Sequence, residues 1–142
     1  MSTNFRGYLF KSVKTGQIFP KKYIQFDTPK QTPNQREEIK AYRDDNSRNL
    51  FRFTADGMKT VGSFKTPKHL HLEDKIKIQS FFTNGEESAN HKERKILLEY
   101  WNDEENNYKQ GWFYRPNLEF SINHITDDDI IYNEQQIDLI EY

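Results

Sequence analysis

The stretch from Arg94 to Asn123 constrains the fold more than any other part of the chain. Ile96, Leu98 and Tyr100 alternate with Leu97, Glu99 and Trp101, the period-two pattern of a strand. The acidic, Asn-rich run from Asn102 to Asn107 cannot bury itself and reads as a turn. Tyr108 to Tyr114 resumes an aromatic, β-favouring composition. Pro116-Asn117 reads as a second turn, after which Leu118, Phe120 and Ile122 alternate with Glu119, Ser121 and Asn123. The pattern predicts a three-stranded antiparallel meander. At 142 residues the chain has room for one domain, 1–142, around one core.

That core must be aromatic. Only 34% of residues are hydrophobic, yet 15% are Phe, Tyr or Trp, and each buried ring removes roughly 150–250 Å² from water. Charge is balanced, 21 Lys and Arg against 22 Asp and Glu, for a net charge of -1. That argues against gripping nucleic acid by long-range attraction as the main task, while leaving room for a local basic patch. The absence of cysteine excludes disulfides, thiolate catalysis and Cys-zinc sites, and fits a reducing cytoplasm or a particle assembled there. No apolar run approaches the roughly 20 residues that span a bilayer. Met1-Ser-Thr-Asn-Phe-Arg has no apolar core, so no secretory leader is expected.

The rest of the chain adds strands around the meander. Phe5, Tyr8 and Phe10 suggest a first strand or an ordered arm. Lys14 to Gln17 is a turn with Gly16 free to take positive φ. Ile18 to Phe26 reads as a strand in which Pro20 implies an edge position, a bulge or a late start. Residues 27–49 are polar and hold Pro29 and Pro33. Thr32-Pro33 resembles a helix start, with a short helix over 35–42. The segment is then either a surface loop with one helical turn or an arm that orders against a neighbouring subunit. Leu50–Thr54 and 58–66 read as paired strands around an Asp56-Gly57 turn, with Gly62 a possible bulge. Over 70–82 the even-numbered apolar residues suit a strand. Leu72, Ile76, Gln79 and Phe82 suit a helix, which is preferred because Asp74 and Ser80 would spoil a buried strand face. Gln136–Tyr142 is a last strand with Ile137 and Leu139 on one face, ending inside a sheet or an interface. The sum is a mainly β fold, a β-sandwich or barrel of seven or eight antiparallel strands, with one flanking α-helix and a long polar arm at about 27–49.

Candidate chemistry is sparse. His69-x-His71 with Glu73 and Asp74 is the one cluster of metal-ligand types, and surface or capping histidines are the plainer reading. The acidic runs 102–105 and 127–129 lack the glycine pivot of a calcium loop and read as solvated turns. Phe51-Arg52-Phe53 and Trp112-Phe113-Tyr114-Arg115 interleave rings with cations, as a single-strand binding face would. Alternation instead puts rings in the core and cations outside. No phosphate loop, nucleophile elbow or zinc-protease motif is present. No catalysis, metal or cofactor is expected.

Several segments carry a resemblance: Ala41-Tyr42-Arg43-Asp44, Arg52-Phe53-Thr54, Lys59-Thr60, Phe64-Lys65-Thr66 and, above all, Arg94 to Tyr142. With Tyr100-Trp101-Asn102, Gly111-Trp112-Phe113-Tyr114 and the closing Leu139-Ile140-Glu141-Tyr142, the chain resembles small virion proteins from the tail region of tailed bacteriophages. Its element order is similar to that of the tail-tube fold, in which a β-sandwich carries a long loop and one helix, and subunits form rings. The N-terminal pattern of contractile-phage tube proteins is absent, which leaves tube, terminator, neck and baseplate open.

The resemblance implies a structural virion component, assembled in the host cytoplasm. Its partners would be copies of itself in rings or stacks and other virion proteins, with no membrane and with nucleic acid only by passage or proximity. The expected assembly interface comprises Pro29, Pro33, Arg36, Tyr42 and Arg43 in the arm, and Tyr108, Trp112 and Tyr142 as aromatic anchors. The alternative is a phage-encoded binding module, either an OB-like single-stranded nucleic-acid binder or an inhibitor of a host protein.

Overall fold

The structure, a computed structural model, describes residues 3–35, 38–43, 50–54, 59–87 and 94–142, with the backbone alone for 38–43 and 50–54. Among the described residues, eleven strands form three antiparallel sheets beside one α-helix. The strands are β1 (Phe10–Ser12), β2 (Lys30–Gln35), β3 (Glu38–Arg43), β4 (Leu50–Thr54), β5 (Lys59–Lys65) and β6 (Leu70–His71), then β7 (Lys95–Asn102), β8 (Asn107–Tyr114), β9 (Ile122–Ile125), β10 (Ile130–Tyr132) and β11 (Gln136–Glu141). The helix α1 (Leu72–Gly85) follows β6 directly. The main sheet runs β1-β7-β8-β11-β5-β2, a smaller one β6-β10-β9, and β3 pairs with β4.

The β7–β8 hairpin has the register its alternation foretells, from Lys95 opposite Tyr114 to Asn102 opposite Asn107. Ile96, Leu98 and Tyr100 are buried on one face with Phe113. Ile137 and Leu139 of β11 and Phe64 of β5 continue that face, Ile137 lying opposite Phe64. The covering layer is α1 with β6 and β10. Ile78, Phe81, Phe82 and Gly85 fall at helical spacing and turn inward. Phe19 and Tyr23 fill the space beside them, and Phe10, Phe19, Phe64, Phe81 and Phe82 meet with ring centroids 4.7–6.3 Å apart. This is the aromatic core that the composition requires.

Two polar devices fix how the layers sit. His71 precedes α1 without capping it by its side chain. Asp129, from the turn before β10, supplies the missing acceptor. Its Oδ1 takes the Leu72 N–H at 3.3 Å and the Ile130 N–H at 2.8 Å, and its Oδ2 lies 2.7 Å from His71 Nδ1. At the other end the sheet curls until its edge strand β2 faces β7. Gln31 Nε2 donates to Trp101 O at 2.7 Å, and its Oε1 accepts the Asp103 N–H at 2.8 Å. Asn34 and Asn102, both buried, exchange amide hydrogen bonds at 3.1 and 3.4 Å.

Several local expectations need correction. The third strand of the meander does not join β8, because β11 already occupies that edge and Pro116 has no N–H to offer. Leu118–Ser121 lie outside any strand, and β9 pairs with β10 instead. Ile18–Phe26 is not a strand but a single bridge at Ile18 followed by a 3-10 turn over Lys21–Tyr23. Among the described residues of 35–42 no helix forms, since Gln35 lies in β2 and 38–42 in β3. Asn34, in the first turn that such a helix would need, has φ +52°, incompatible with a right-handed helix. β4 pairs with β3, while β5 lies between β2 and β11. The expected Asp56-Gly57 turn lies outside the described residues. The bulge sits in β2 between Thr32 and Gln35, not at Gly62. In α1, Ile76 faces outward, and Phe81 takes the inward place assigned to it.

Candidate assembly surface

Strand alternation decides what the other face of the main sheet presents. Register places Lys95, Leu97, Glu99 and Trp101 of β7 beside Tyr114, Trp112, Gln110 and Tyr108 of β8, with Ile140 of β11 next to Tyr114. The central strands thus carry large apolar groups on the side away from α1 as well.

Half of this outer face is covered by the chain itself. Phe5 packs edge-on against Trp101 at 5.4 Å and stacks on Tyr108. Tyr8 stacks on Tyr108 at 4.7 Å, and Tyr108 donates its hydroxyl hydrogen to Tyr8 O at 2.8 Å. Arg6 lies over the Tyr108 ring and pairs with Glu99 at 3.2 Å. Tyr108, expected as an anchor for a partner, is engaged within its own chain.

The other half stands open. Trp112 is 39% exposed and Tyr142 42%. They lie opposite each other, Tyr142 N–H donating to Trp112 O at 2.8 Å. Lys95 Nζ sits 5.0 Å from the Trp112 ring centroid and 4.9 Å from that of Tyr142, a cation held between two rings. Tyr114 meets Tyr142 edge-on at 5.4 Å. Beside Trp112, a groove of about 310 Å³ runs between Val13, Leu97 and the end of α1, with Lys14 and Glu87 at its rim. A Trp on a rigid strand next to an apolar groove is the residue type and setting that dominates buried contact patches.

Of the other residues expected at an interface, Pro29 is exposed and Pro33 half-buried in β2. Tyr42 and Arg43 lie opposite Phe51 and Leu50 in the β3–β4 pair. Arg36 lies outside the described residues. The structure therefore joins Trp112 and Tyr142 in one patch. Sequence reading missed Phe26, which sits in a turn with 94% of its surface exposed. Its neighbours Asp27, Thr28 and Pro29 are turn formers that could have signalled this.

Other polar clusters have internal duties. His71 is held to Asp129 and His124 to Asn123. Among the described residues no three His, Asp or Glu side chains group as metal ligands. Arg115 pairs with Glu86 at 3.2 Å, both nearly buried, and its guanidinium lies 4.5 Å from the Phe82 ring centroid. Burial pulls the Arg115 pKa down, and the Glu86 carboxylate opposes that pull. No helix among the described residues is long and apolar enough to cross a membrane.

A solved tail of an empty GTA particle, obtained by helical refinement with C6 symmetry, contains a chain of similar fold. The two share 14% identity over 97% of this chain and 94% of that one, with a TM-score of 0.51. At that identity the likeness is one of fold. Among curated proteins none matches the chain. The model for the family of unknown function DUF6711 matches residues 1–142, so the chain belongs to that family.

Proposed function

We propose that this protein is a structural, non-catalytic component of a phage-type tail. Copies of the chain associate in rings or stacks and contact other virion proteins. The observation that carries the reading is the fold match, which spans nearly the whole of both chains and whose counterpart is a subunit of a C6-symmetric tail. The open aromatic half of the main sheet agrees with it, since large apolar groups on a rigid strand gain most when another subunit covers them. The protein would then reside in the particle after assembly in the host cytoplasm, using no cofactor.

Mass measurement of the purified chain across a concentration series tests this, with electron microscopy of any large species. Rings, stacks or tubes are the expected result. A chain that remains monomeric at every concentration, alone and with the other virion proteins, overturns the reading.

A further inference from the structure

Phe26 is presented rather than merely exposed. Its turn is pinned from several sides. Gln25 N–H donates to Lys65 O at 2.9 Å, Thr28 Oγ1 donates to Gln25 O at 2.6 Å, and Lys65 N–H donates to Thr28 Oγ1 at 3.1 Å. The Gln25 amide, oriented by its surroundings, donates to Thr66 O and to Glu134 Oε2. Asp27 takes φ +66°, an uncommon conformation for a non-glycine residue. A turn held this firmly carries a phenyl ring that is 94% in water. Single exposed apolar residues are ordinary on protein surfaces. A second feature of the same molecule is what gives this one meaning.

That feature is the groove beside Trp112. Its floor is apolar, formed by Val13, Leu97 and Trp112. Two cations flank it, with the Glu87 side chain also at its rim. Lys14 Nζ touches only the Glu86 carbonyl, at 3.1 Å, and Lys95 lies over rings; among the described residues neither pairs with a carboxylate. Next to Phe26 on the turn, the exposed Asp27 carboxylate likewise makes no ion pair among the described residues. The turn offers an apolar knob beside an anion, and the groove offers an apolar hole whose surroundings carry two cations, Lys14 and Lys95, against one carboxylate, Glu87.

We infer that Phe26 of one copy docks in the Val13–Leu97–Trp112 groove of the next, with Asp27 meeting Lys14 or Lys95. The inference rests on the self-assembly proposed above and names its contact. Knob and groove lie on different parts of the chain, so the contact is head-to-tail: repeated, it closes a ring or builds a stack, depending on the rotation between copies. A pinned turn loses little freedom on docking, which favours association.

The test uses the full chain and two variants. Phe26→Ala removes the knob from a site that touches almost nothing, so the fold stands. Trp112→Thr damages the groove while keeping a β-favouring residue. Sedimentation should show wild type assembling and each variant associating about 10-fold to 100-fold more weakly, the loss expected for one buried aromatic. Mixed one to one, the variants should form a heterodimer and go no further, because only the knob of the Trp112→Thr copy and the groove of the Phe26→Ala copy are intact. Asp27→Lys should weaken wild-type association, and Lys14→Glu with Lys95→Glu should recover it. If wild type assembles and Phe26→Ala assembles equally well, the docking inference falls while the tail reading stands. If wild type never assembles, both fall.

Discussion

Removing the Asn102 amide should loosen the whole lower end of the main sheet. Asn102 is fully buried. Its Nδ2 donates to Asn34 Oδ1 at 3.1 Å, and its Oδ1 accepts the Asn34 amide at 3.4 Å and the backbone N–H groups of Glu104 and Glu105 at 3.0 and 3.1 Å. One side chain thus ties β2 to β7 and shapes the turn into β8. In Asn102→Ala the buried Asn34 Nδ2 loses its acceptor, at about 1–3 kcal/mol, while Oδ1 keeps the Lys109 ammonium at 3.3 Å. The two turn N–H groups stand in an exposed run and can pass to water, so each adds only about 0.5–1 kcal/mol. The expected loss is about 2–5 kcal/mol, a large share of the roughly 5–15 kcal/mol that holds such a domain folded. At roughly 3 °C per kcal/mol for this size, Tm should fall by about 10 °C. Urea unfolding followed through the adjacent Trp101 measures it. A double-mutant cycle with Asn34→Ala isolates the pair, because the second deletion removes a group the first has already stranded. The coupling should be about 1–3 kcal/mol. Additive losses, or an Asn102→Ala cost below about 0.5 kcal/mol, would refute the idea that this pair closes the sheet.

Other perturbations probe the layer above. Gly85→Ala should cost about 1–3 kcal/mol in urea unfolding, because its Cβ would sit 2.5 Å from Ile96 Cδ1 and 2.7 Å from Ser12 Oγ, with α1 pressed against β7 and β1. Glu86→Leu should cost about 3–5 kcal/mol by stranding the Arg115 charge, and adding Arg115→Met should recover most of that loss. The His71–Asp129 pair gives a pH signature. The hydrogen bond to Asp129 holds the His71 pKa above its ordinary 6.5, so its stabilisation is complete below 6.5 and fades as pH rises through the folded value. The same bond and the Ile130 and Leu72 N–H groups hold Asp129 below its ordinary 3.8, so its stabilisation is present above 3.8 and fades as pH falls through the folded value. Thermal melts should show this contribution at full strength between 3.8 and 6.5, and His71→Ala should lower that plateau and remove the decline above 6.5.

What the sequence disclosed was local and periodic. The β7–β8 hairpin and the inward face of β11 follow from alternation alone, and helix α1 from spacing and from polar residues that a strand could not bury. What it hid was pairing at a distance. Leu118–Asn123 alternates like a strand, yet the edge it would have joined belongs to β11, 22 residues further along the chain from Tyr114 to Gln136. Leu50–Thr54 looks ready to pair forward across Asp56-Gly57 and instead pairs backward with β3. Both errors share a cause: a strand's pattern tells which face is buried and says nothing of which edge is free. The candidate assembly surface was half legible for the same reason. Trp112 and Tyr142 stood out as aromatic strand residues, and register joins them. Tyr108 looked equivalent in composition, but the N-terminal Phe5–Tyr8 segment lies over it. Asn34, by residue type a turn former, is the buried partner of Asn102, and neither spacing nor composition links the two.

The open half of the sheet bears on why so polar a chain folds with an apolar residue on both sides of its central strands. One layer, α1 with the small sheet, covers the face of Ile96, Leu98 and Phe113, and a single covering layer suffices for a stable domain. If folding were all that selected these strands, the second face could be as polar as β2 and β5 are on theirs, where Lys30, Thr32, Lys59 and Lys65 stand outward. Instead Leu97, Trp112, Tyr114 and Ile140 gather over β7, β8 and β11, among Lys95, Glu99 and Gln110 on the same face. Neither the helix layer nor the Phe5–Tyr8 segment covers that apolar cluster. In the self-assembly proposed above, burial against another subunit accounts for it, because it stabilises the assembled form while leaving the free chain dependent on its aromatic core alone.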